Sequence, residues 1–178
     1  MILITALVAS ITIGLIRKGS LAQLAQAELR GLPLYATAIL LQVFVVAMVS
    51  AWGLSGMVYA VSFLLLTVGA YLDRRVPGMF LVALGLLLNT SVIVANGGRM
   101  PVFLSPDAPG WKSVQALTHV PMALSGRLRY LGDFIRIPEF GGHYSLLSPG
   151  DVLIAIGVFV AVQSLMVRGS KEPGGWGR

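Results

Sequence analysis

The chain has no cysteine. That excludes disulfides, thiolate zinc sites, iron–sulfur ligation and a cysteine nucleophile together, and it leaves the redox compartment open. Charge is also scarce. Asp, Glu, Lys and Arg make up only 11% of the 178 residues, against about 25% in soluble domains. No phosphate loop, dinucleotide glycine fingerprint, nucleophile elbow or zincin helix is present. The two histidines, His119 and His143, stand apart without ligand-type spacing, so the sequence implies no metal and no cofactor. No Lys, Arg, Asp or Glu lies in the middle of an apolar run, which argues against a proton-coupled pump or transporter.

Apolar side chains are what the chain has in excess, at 56% of residues. They concentrate in five runs, 1–16, 32–52, 56–72, 76–95 and 151–167. Each run is at or near the length that crosses a hydrocarbon layer about 30 Å thick at about 1.5 Å rise per residue. A soluble core of this size would not hide so much apolar surface. The expected fold class is an all-α membrane protein: a five-helix transmembrane bundle forming a single domain over 1–178. An external segment, 96–150, caps it between helices four and five, and a mobile tail occupies 169–178. Membrane lipids are the expected partners, with a membrane protein as a further one. The net charge of +6 reads as topology charge. Nucleic acid is not expected, because the basic residues are not interleaved with exposed stacking aromatics.

Basic residues set the orientation. Arg17, Lys18 and Arg30 separate runs one and two, Arg74 and Arg75 separate three and four, and Arg168, Lys171 and Arg178 follow run five. Counted near membrane ends, such residues favour the cytoplasmic side. The N-terminus is therefore expected outside and the C-terminus inside, although the external segment itself carries Arg99, Lys112, Arg127, Arg129 and Arg136. The basic pair follows the first run instead of preceding it, so that run reads as a retained anchor, not a cleavable signal. Leu21, Leu24, Ala25 and Leu29 recur at helical spacing after Gly19-Ser20, as a short interfacial helix or a continuation of the first one. Small residues four apart (Ala6, Ser10 and Gly14; Ala47 and Ala51; Gly157 and Ala161) predict close helix packing.

The external segment carries whatever specificity exists. Asn96-Gly97-Gly98 permits a sharp exit from the fourth helix, and Ser105-Pro106-Asp107-Ala108-Pro109-Gly110 is a turn cluster. Trp111 to Ala123 is expected to be a short helix with Trp111 as an interfacial anchor, and Arg127-Leu128-Arg129-Tyr130 alternates as an interfacial strand would. Ser148-Pro149-Gly150-Asp151 has the form of a capping box with proline at the first helical position. As a cap, Asp151 needs no catalytic role, and Asp133 reads equally as a turn residue near Arg136. If instead the two carboxylates converge at the outer surface, their pKa values are pushed apart and one acts as acid, the other as base on a water. Asp133 and Asp151 are thus the catalytic candidates. Asn89, inside the fourth run, and Asn96 and Arg99, at its exit, are the binding candidates. Thr90, Ser91, Gln42 and Gln163 are expected to bond across helices.

Taken with the order of the spans, Asn96-Gly97-Gly98-Arg99-Met100-Pro101-Val102, Leu131-Gly132-Asp133 and Ser148-Pro149-Gly150-Asp151-Val152-Leu153-Ile154 resemble an uncharacterised bacterial membrane protein family, domain of unknown function 5317. The resemblance covers nearly the whole chain. It implies a small multi-pass protein of the bacterial cytoplasmic membrane and supplies no catalytic residues. The stretch Gly126-Arg127-Leu128-Arg129-Tyr130-Leu131-Gly132-Asp133-Phe134-Ile135, followed by Asp151-Val152-Leu153-Ile154-Ala155-Ile156-Gly157, is similar to the C-terminal part of lipoprotein signal peptidase, a membrane aspartyl protease. That likeness places Asp151 at the second catalytic aspartate. The first should precede Arg127, where Gly126 stands, Asp133 matches a non-catalytic position, and the usual asparagine before the second aspartate is missing. No complete set of nucleophile, base and orienter is assembled, so a non-catalytic role is expected: scaffold, accessory subunit or small-ligand binding. The alternative is an aspartyl-type hydrolase using Asp133 and Asp151, and a weaker one is passive solute passage past Asn89, Thr90 and Ser91.

Overall fold

Helices form where the apolar runs predict them. The computed structural model describes residues 2–48, 55–104, 118–122, 127–138 and 144–167. It contains α1 (Ile2–Ile16), α2 (Leu21–Ala25), α3 (Leu32–Met48), α4 (Ser55–Leu72), α5 (Met79–Ala95) and α6 (Pro149–Val167). Among the described residues only α6, with 19 residues and a mean hydropathy of 2.1, is by itself long and apolar enough to cross a membrane; α1, α3, α4 and α5 are shorter apolar helices. The molecule is mostly helical.

The long helices pack in a row, α3 on α4, α4 on α5, α5 on α6 and α6 on α1, and the short α2 lies against α6. Small residues set these contacts. A Cβ on Gly85 of α5 would meet the Gly150 carbonyl oxygen at 2.5 Å, and one on Gly157 of α6 would meet the Gly78 carbonyl oxygen at 2.7 Å. On α1, Ser10 Oγ donates to the Phe159 carbonyl at 3.0 Å. Gln163 Nε2 donates back to the Ser10 carbonyl. Gln42, Thr90 and Gln163 thus bond between helices as expected, whereas Ser91 bonds back within α5. Gln42 Nε2 donates to Ser62 Oγ at 3.2 Å, and Thr67 and Thr90 share a hydrogen bond of 3.0 Å.

At the opposite end of the bundle from the cap, Asp73 closes α4 onto the start of α3. Its Oδ1 accepts from Arg30 N at 2.7 Å, and its Oδ2 accepts from Gly31 N at 3.1 Å and from the Tyr35 hydroxyl at 2.9 Å. The carboxylate is buried, and it answers backbone donors that a helix start otherwise leaves to water.

The described residues of the cap include β-strands, which corrects the all-α expectation. Strand β1 (Met100–Val102) pairs in parallel with β2 (His119–Pro121) and bridges Asp133 on its other side. Strand β3 (Ile135–Pro138) pairs antiparallel with β4 (Tyr144–Leu147). All of β1 is buried, and Met100 packs with Val92 and Ile93 of α5. Two local expectations change here. Of the helix expected over Trp111–Ala123, only residues 118–122 are described: Thr118 is helical, and residues 119–121 form β2 instead, because they take their hydrogen bonds from β1. The strand expected over Arg127–Tyr130 is replaced by a 3₁₀ turn, Arg129–Leu131, because Leu128 enters it at φ 52 and its carbonyl accepts from Leu131 N at 2.9 Å.

Helix limits shift for local reasons. Val76-Pro77-Gly78 forms a turn, with Gly78 at φ 90, so α5 begins at Met79 and not at Val76. Pro149 opens α6 as the capping signature implies, two residues ahead of the apolar run, where its missing N–H costs nothing. Ser20 caps α2, accepting from Ala22 N at 3.2 Å, so α2 is a separate short helix and not a continuation of α1. The turn around Trp52, the cluster 105–110, Trp111, Lys112, His143, the Ala47–Ala51 pair and the tail 169–178 lie outside what the structure describes.

Candidate functional site

The start of α6 positions the first carboxylate. Asp151 N donates to Ser148 Oγ at 3.0 Å, and Ser148 N donates to Asp151 Oδ2 at 3.0 Å, which is a reciprocal capping box. The acidic group also meets the positive end of the helix dipole. The cap reading of Asp151 therefore holds, but it uses only one side of the carboxylate. Asp151 Oδ1 accepts from Asn89 Nδ2 at 2.8 Å, and Asn89 Oδ1 accepts from Ser148 Oγ at 2.9 Å. Asn89 is buried on α5, so its amide is spent on locking the α6 cap. Gly150 is required where it stands, since any Cβ there would run into the Asn89 side chain.

The second carboxylate comes from the cap. Asp133 is held by its backbone: its N–H donates to the Pro101 carbonyl at 2.8 Å, and its own carbonyl accepts from Phe103 N at 2.8 Å. This fixes the side chain pointing inward. It is not a solvated turn residue near Arg136, because only 10% of the side chain is exposed. Its Oδ1 is buried and has no hydrogen-bond partner among the described residues. Its Oδ2 lies 3.6 Å from His119 Nε2, close for an ion pair and long for a hydrogen bond. His119 Nδ1 shares a 2.8 Å hydrogen bond with Thr118 Oγ1.

Both carboxylates line one cavity of about 410 Å³ between the cap and the adjoining helix ends. Tyr59, Asn89 and His119 supply the other polar groups, and Leu3, Phe63, Ile93 and Leu147 are among the apolar walls. Burial pushes the Asp133 carboxyl up to about 8, and the negative charge of Asp151 adds to the rise. Burial also pushes the His119 imidazole below its ordinary value, against a partial opposing pull from Asp151. Near neutral pH the pair facing the cavity is therefore an uncharged carboxylic acid and an uncharged imidazole, so the 3.6 Å approach is not an ion pair there. Among the described residues no group of three or more His, Cys, Asp or Glu is placed to hold a metal ion.

Of the sequence-derived candidates, Asp133, Asp151 and Asn89 are brought together. Asn96 and Arg99 are not part of the cavity. Asn96 Nδ2 donates to the Val92 carbonyl at 2.8 Å and to the Arg127 carbonyl at 3.0 Å, tying the end of α5 to the cap. Arg99 is exposed. Thr90 bonds across to Thr67, and Ser91 Oγ is turned back onto the Leu87 carbonyl at 2.8 Å, so neither forms a polar path with Asn89. His119 was not singled out from sequence, since the signal that would have placed it, a parallel strand pairing with β1, spans chain positions far apart. Gly126, the position where the protease resemblance lacks its first aspartate, lies outside the described residues, and the carboxyl that joins Asp151 at the cavity is Asp133.

The molecule is thus a helical bundle whose small β-structured cap covers a two-carboxylate cavity. The chain belongs to the family described as Family of unknown function (DUF5317), which it matches over residues 26–163. That range includes Asn89, His119, Asp133, Ser148 and Asp151. An uncharacterized protein of Thermotoga maritima (strain ATCC 43589 / DSM 3109 / JCM 10099 / NBRC 100826 / MSB8) is 31% identical over 99 residues, covering 56% of this chain and 58% of that protein. No solved structure matches the chain.

Proposed function

We propose that this is a five-span protein of the bacterial cytoplasmic membrane, N-terminus outside and C-terminus inside, whose capped cavity binds a small ligand without chemically changing it. The membrane reading is supported by what the helices present outward. Ile4, Leu40, Phe44, Met57, Phe80 and Val94 are each more than half exposed. Side chains of this kind on the outside of α1, α3, α4 and α5 ask for lipid as the solvent. Helices of 17 residues rise about 25 Å, and a bilayer thins locally to meet such spans at modest cost.

The observation that carries the binding reading is the buried, unpartnered Asp133 Oδ1 at a cavity with mostly apolar walls. A buried acceptor left unmade costs about 1–3 kcal/mol, which a ligand donor would relieve. A few convergent polar groups in an apolar pocket is the usual composition of a small-molecule site. Native mass spectrometry of the protein released from mild detergent tests this. A bound small molecule should appear on the natural sequence and be lost from Leu146→Trp, which fills the cavity. A bound mass retained in that variant, or none on the natural sequence under any gentle release, would remove the proposal. The same preparation reports any membrane protein partner, which is the accessory-subunit form of this reading.

A second reading rests on a specific observation, that Asp133 and Asp151 face one cavity with Asp133 raised far above a usual carboxylate. That is the arrangement of an acid and a charged carboxylate acting on one water. As a hydrolase, the protein would be stabilised by a hydroxyl-centred transition-state mimic, and Asp133→Asn and Asp151→Asn would each abolish that effect. The capping bonds to Asp151 weigh against it, since both oxygens of that carboxylate already accept hydrogen bonds.

A further inference from the structure

The cavity is lined by two carboxyl side chains, and no Lys or Arg is among its described lining residues. An anion would enter against the charge of Asp151 with nothing to answer it. A metal ion would find too few oxygen and nitrogen groups around it. A neutral donor would satisfy Asp133 Oδ1 alone, whereas a cation also meets the negative charge of Asp151 across the same cavity. Tyr59 and Phe63, their ring centroids 5.0 Å apart and tilted by 60°, form an aromatic side to the same space. Ring faces of this kind attract organic cations. The volume of about 410 Å³ is at the small end of ligand sites, which suits a compact organic molecule.

We infer that the ligand is a small organic ammonium with an apolar body, its N–H groups received by Asp133 Oδ1 and its charge shared between Asp133 and Asp151. The inference rests on the ligand-binding reading above. The charge balances without any other reactant: a neutral carboxyl and an ammonium outside become a carboxylate–ammonium pair inside plus one proton in the buffer. The groups facing Asp133 are His119 from β2, Asp151 from α6 and the Tyr59 hydroxyl from α4, and none of them is cationic near neutral pH. Below that range a protonated His119 would compete with the ammonium for Asp133.

The probes are n-hexylammonium, n-hexanol and n-hexanoate, titrated by calorimetry into the purified protein in a neutral detergent. Hexylammonium should bind at least about tenfold tighter than hexanol, hexanoate should not bind, and its affinity should rise up to about tenfold per pH unit from pH 6 to pH 7.5 and level off above about pH 8. Repeating the titration at pH 7 in buffers of different ionisation enthalpy should show close to one proton released per hexylammonium. In Asp133→Asn, whose side chain has nearly the same shape, hexylammonium should lose its proton release and its pH dependence. Hexanol binding as well as hexylammonium, or hexylammonium binding without proton release, overturns the ammonium assignment and leaves a ligand site standing. No binding of any of the three defeats both the assignment and the site. Leu147→Met, a change of shape without charge, should retain the proton release, and losing it there would show that general disturbance of the cavity, not the carboxyl, governs the effect.

Discussion

Asn89 Nδ2 donates to Asp151 Oδ1 at 2.8 Å while Asn89 Oδ1 accepts from Ser148 Oγ at 2.9 Å, so one amide on α5 holds both halves of the α6 capping box. The cap is therefore a tertiary device. Its strength depends on a residue some sixty positions earlier in the chain. Asn89→Leu should destabilise the fold by about 1–3 kcal/mol, because it leaves Asp151 Oδ1 and Ser148 Oγ without their partner. Asp151→Ala should cost roughly 0.5–2 kcal/mol as loss of a cap. The double variant should cost less than the sum, with a coupling of about 0.5–3 kcal/mol. Denaturant unfolding of the four proteins in one detergent measures it, and additive losses would show that Asn89 does not act through the cap.

The raised Asp133 carboxyl makes stability depend on pH. The folded state keeps its proton up to about 8, whereas the unfolded chain releases it near the ordinary carboxylate value of 3.8. The folded state therefore binds more protons across that window, and stability falls as pH rises through it and is flat above. His119 works the other way. Its folded value is lowered, so stability gained from it rises with pH up to its ordinary 6.5 and then stops. Between about pH 6.5 and 8 the Asp133 contribution stands alone, and the thermal midpoint should drop across that interval. Asp133→Asn should flatten the drop. A midpoint that rises from pH 6.5 to 8 in the natural protein would contradict the buried neutral acid.

Much of the helical frame was legible because apolar runs, small-residue spacing and the Ser148–Asp151 signature are local. The apolar run places the start of α5 three residues early, through a glycine turn whose effect lies at a single position, whereas the capping signature marks the start of α6 at Pro149. The cap was not legible. Its strands are three or four residues long, and β1 draws its partners from β2 and from Asp133, well separated along the chain. Short strands of that kind leave no periodicity to read. The same distance hid the partners of the site. Asn89 and the two aspartates were each visible as polar residues in awkward places, but their meeting at one cavity is a property of the fold. Asp73 was passed over because it follows α4 and looks like a solvated turn residue, when in fact it is 4% exposed.

Asp73 and Tyr35 give a separate test of the opposite end. Tyr35→Phe removes one donor to the carboxylate and should cost about 1–2 kcal/mol. Asp73→Ala should cost more, since Arg30 N and Gly31 N then lose their acceptor as well. Asp73→Asn should fall between the two. The order Tyr35→Phe, Asp73→Asn, Asp73→Ala in loss of thermal midpoint checks the clamp. Equal losses for all three would mean that the backbone donors find water instead.

Close approach of α5 and α6 predicts intolerance at their glycines. Gly85→Ala would bring a Cβ to within 2.5 Å of the Gly150 carbonyl, and Gly157→Ala would bring one to 2.7 Å from the Gly78 carbonyl. Neither neighbour is a flexible side chain, so the helices must separate. Each substitution should cost about 1–3 kcal/mol as overpacking. Gly97→Ala, by contrast, meets no neighbour within 4 Å and should cost only the strain of φ 67. Unfolding of the three variants in parallel separates crowding from backbone strain.

The absence of cysteine makes orientation directly measurable, because any introduced thiol is unique. Tyr130 in the cap is 89% exposed, and Leu21 on α2 is 50% exposed at the other end. With the N-terminus outside, an impermeant maleimide added to intact cells should label Tyr130→Cys and spare Leu21→Cys until the membrane is opened. Both positions sit beside arginines, Arg129 next to Tyr130 and Arg17 near Leu21, so a simple count of positive charge gives a weak answer here. The structure sharpens the question. Arg17 Nη1 donates to Gln163 Oε1 at 3.0 Å, which ties that arginine to the end of α6, whereas Arg127 and Arg129 are exposed on the cap. If Leu21→Cys is labelled from outside and Tyr130→Cys is not, the orientation is reversed and the cavity opens to the cytoplasm. If both are labelled in intact cells, the bundle does not separate two compartments and the membrane reading falls.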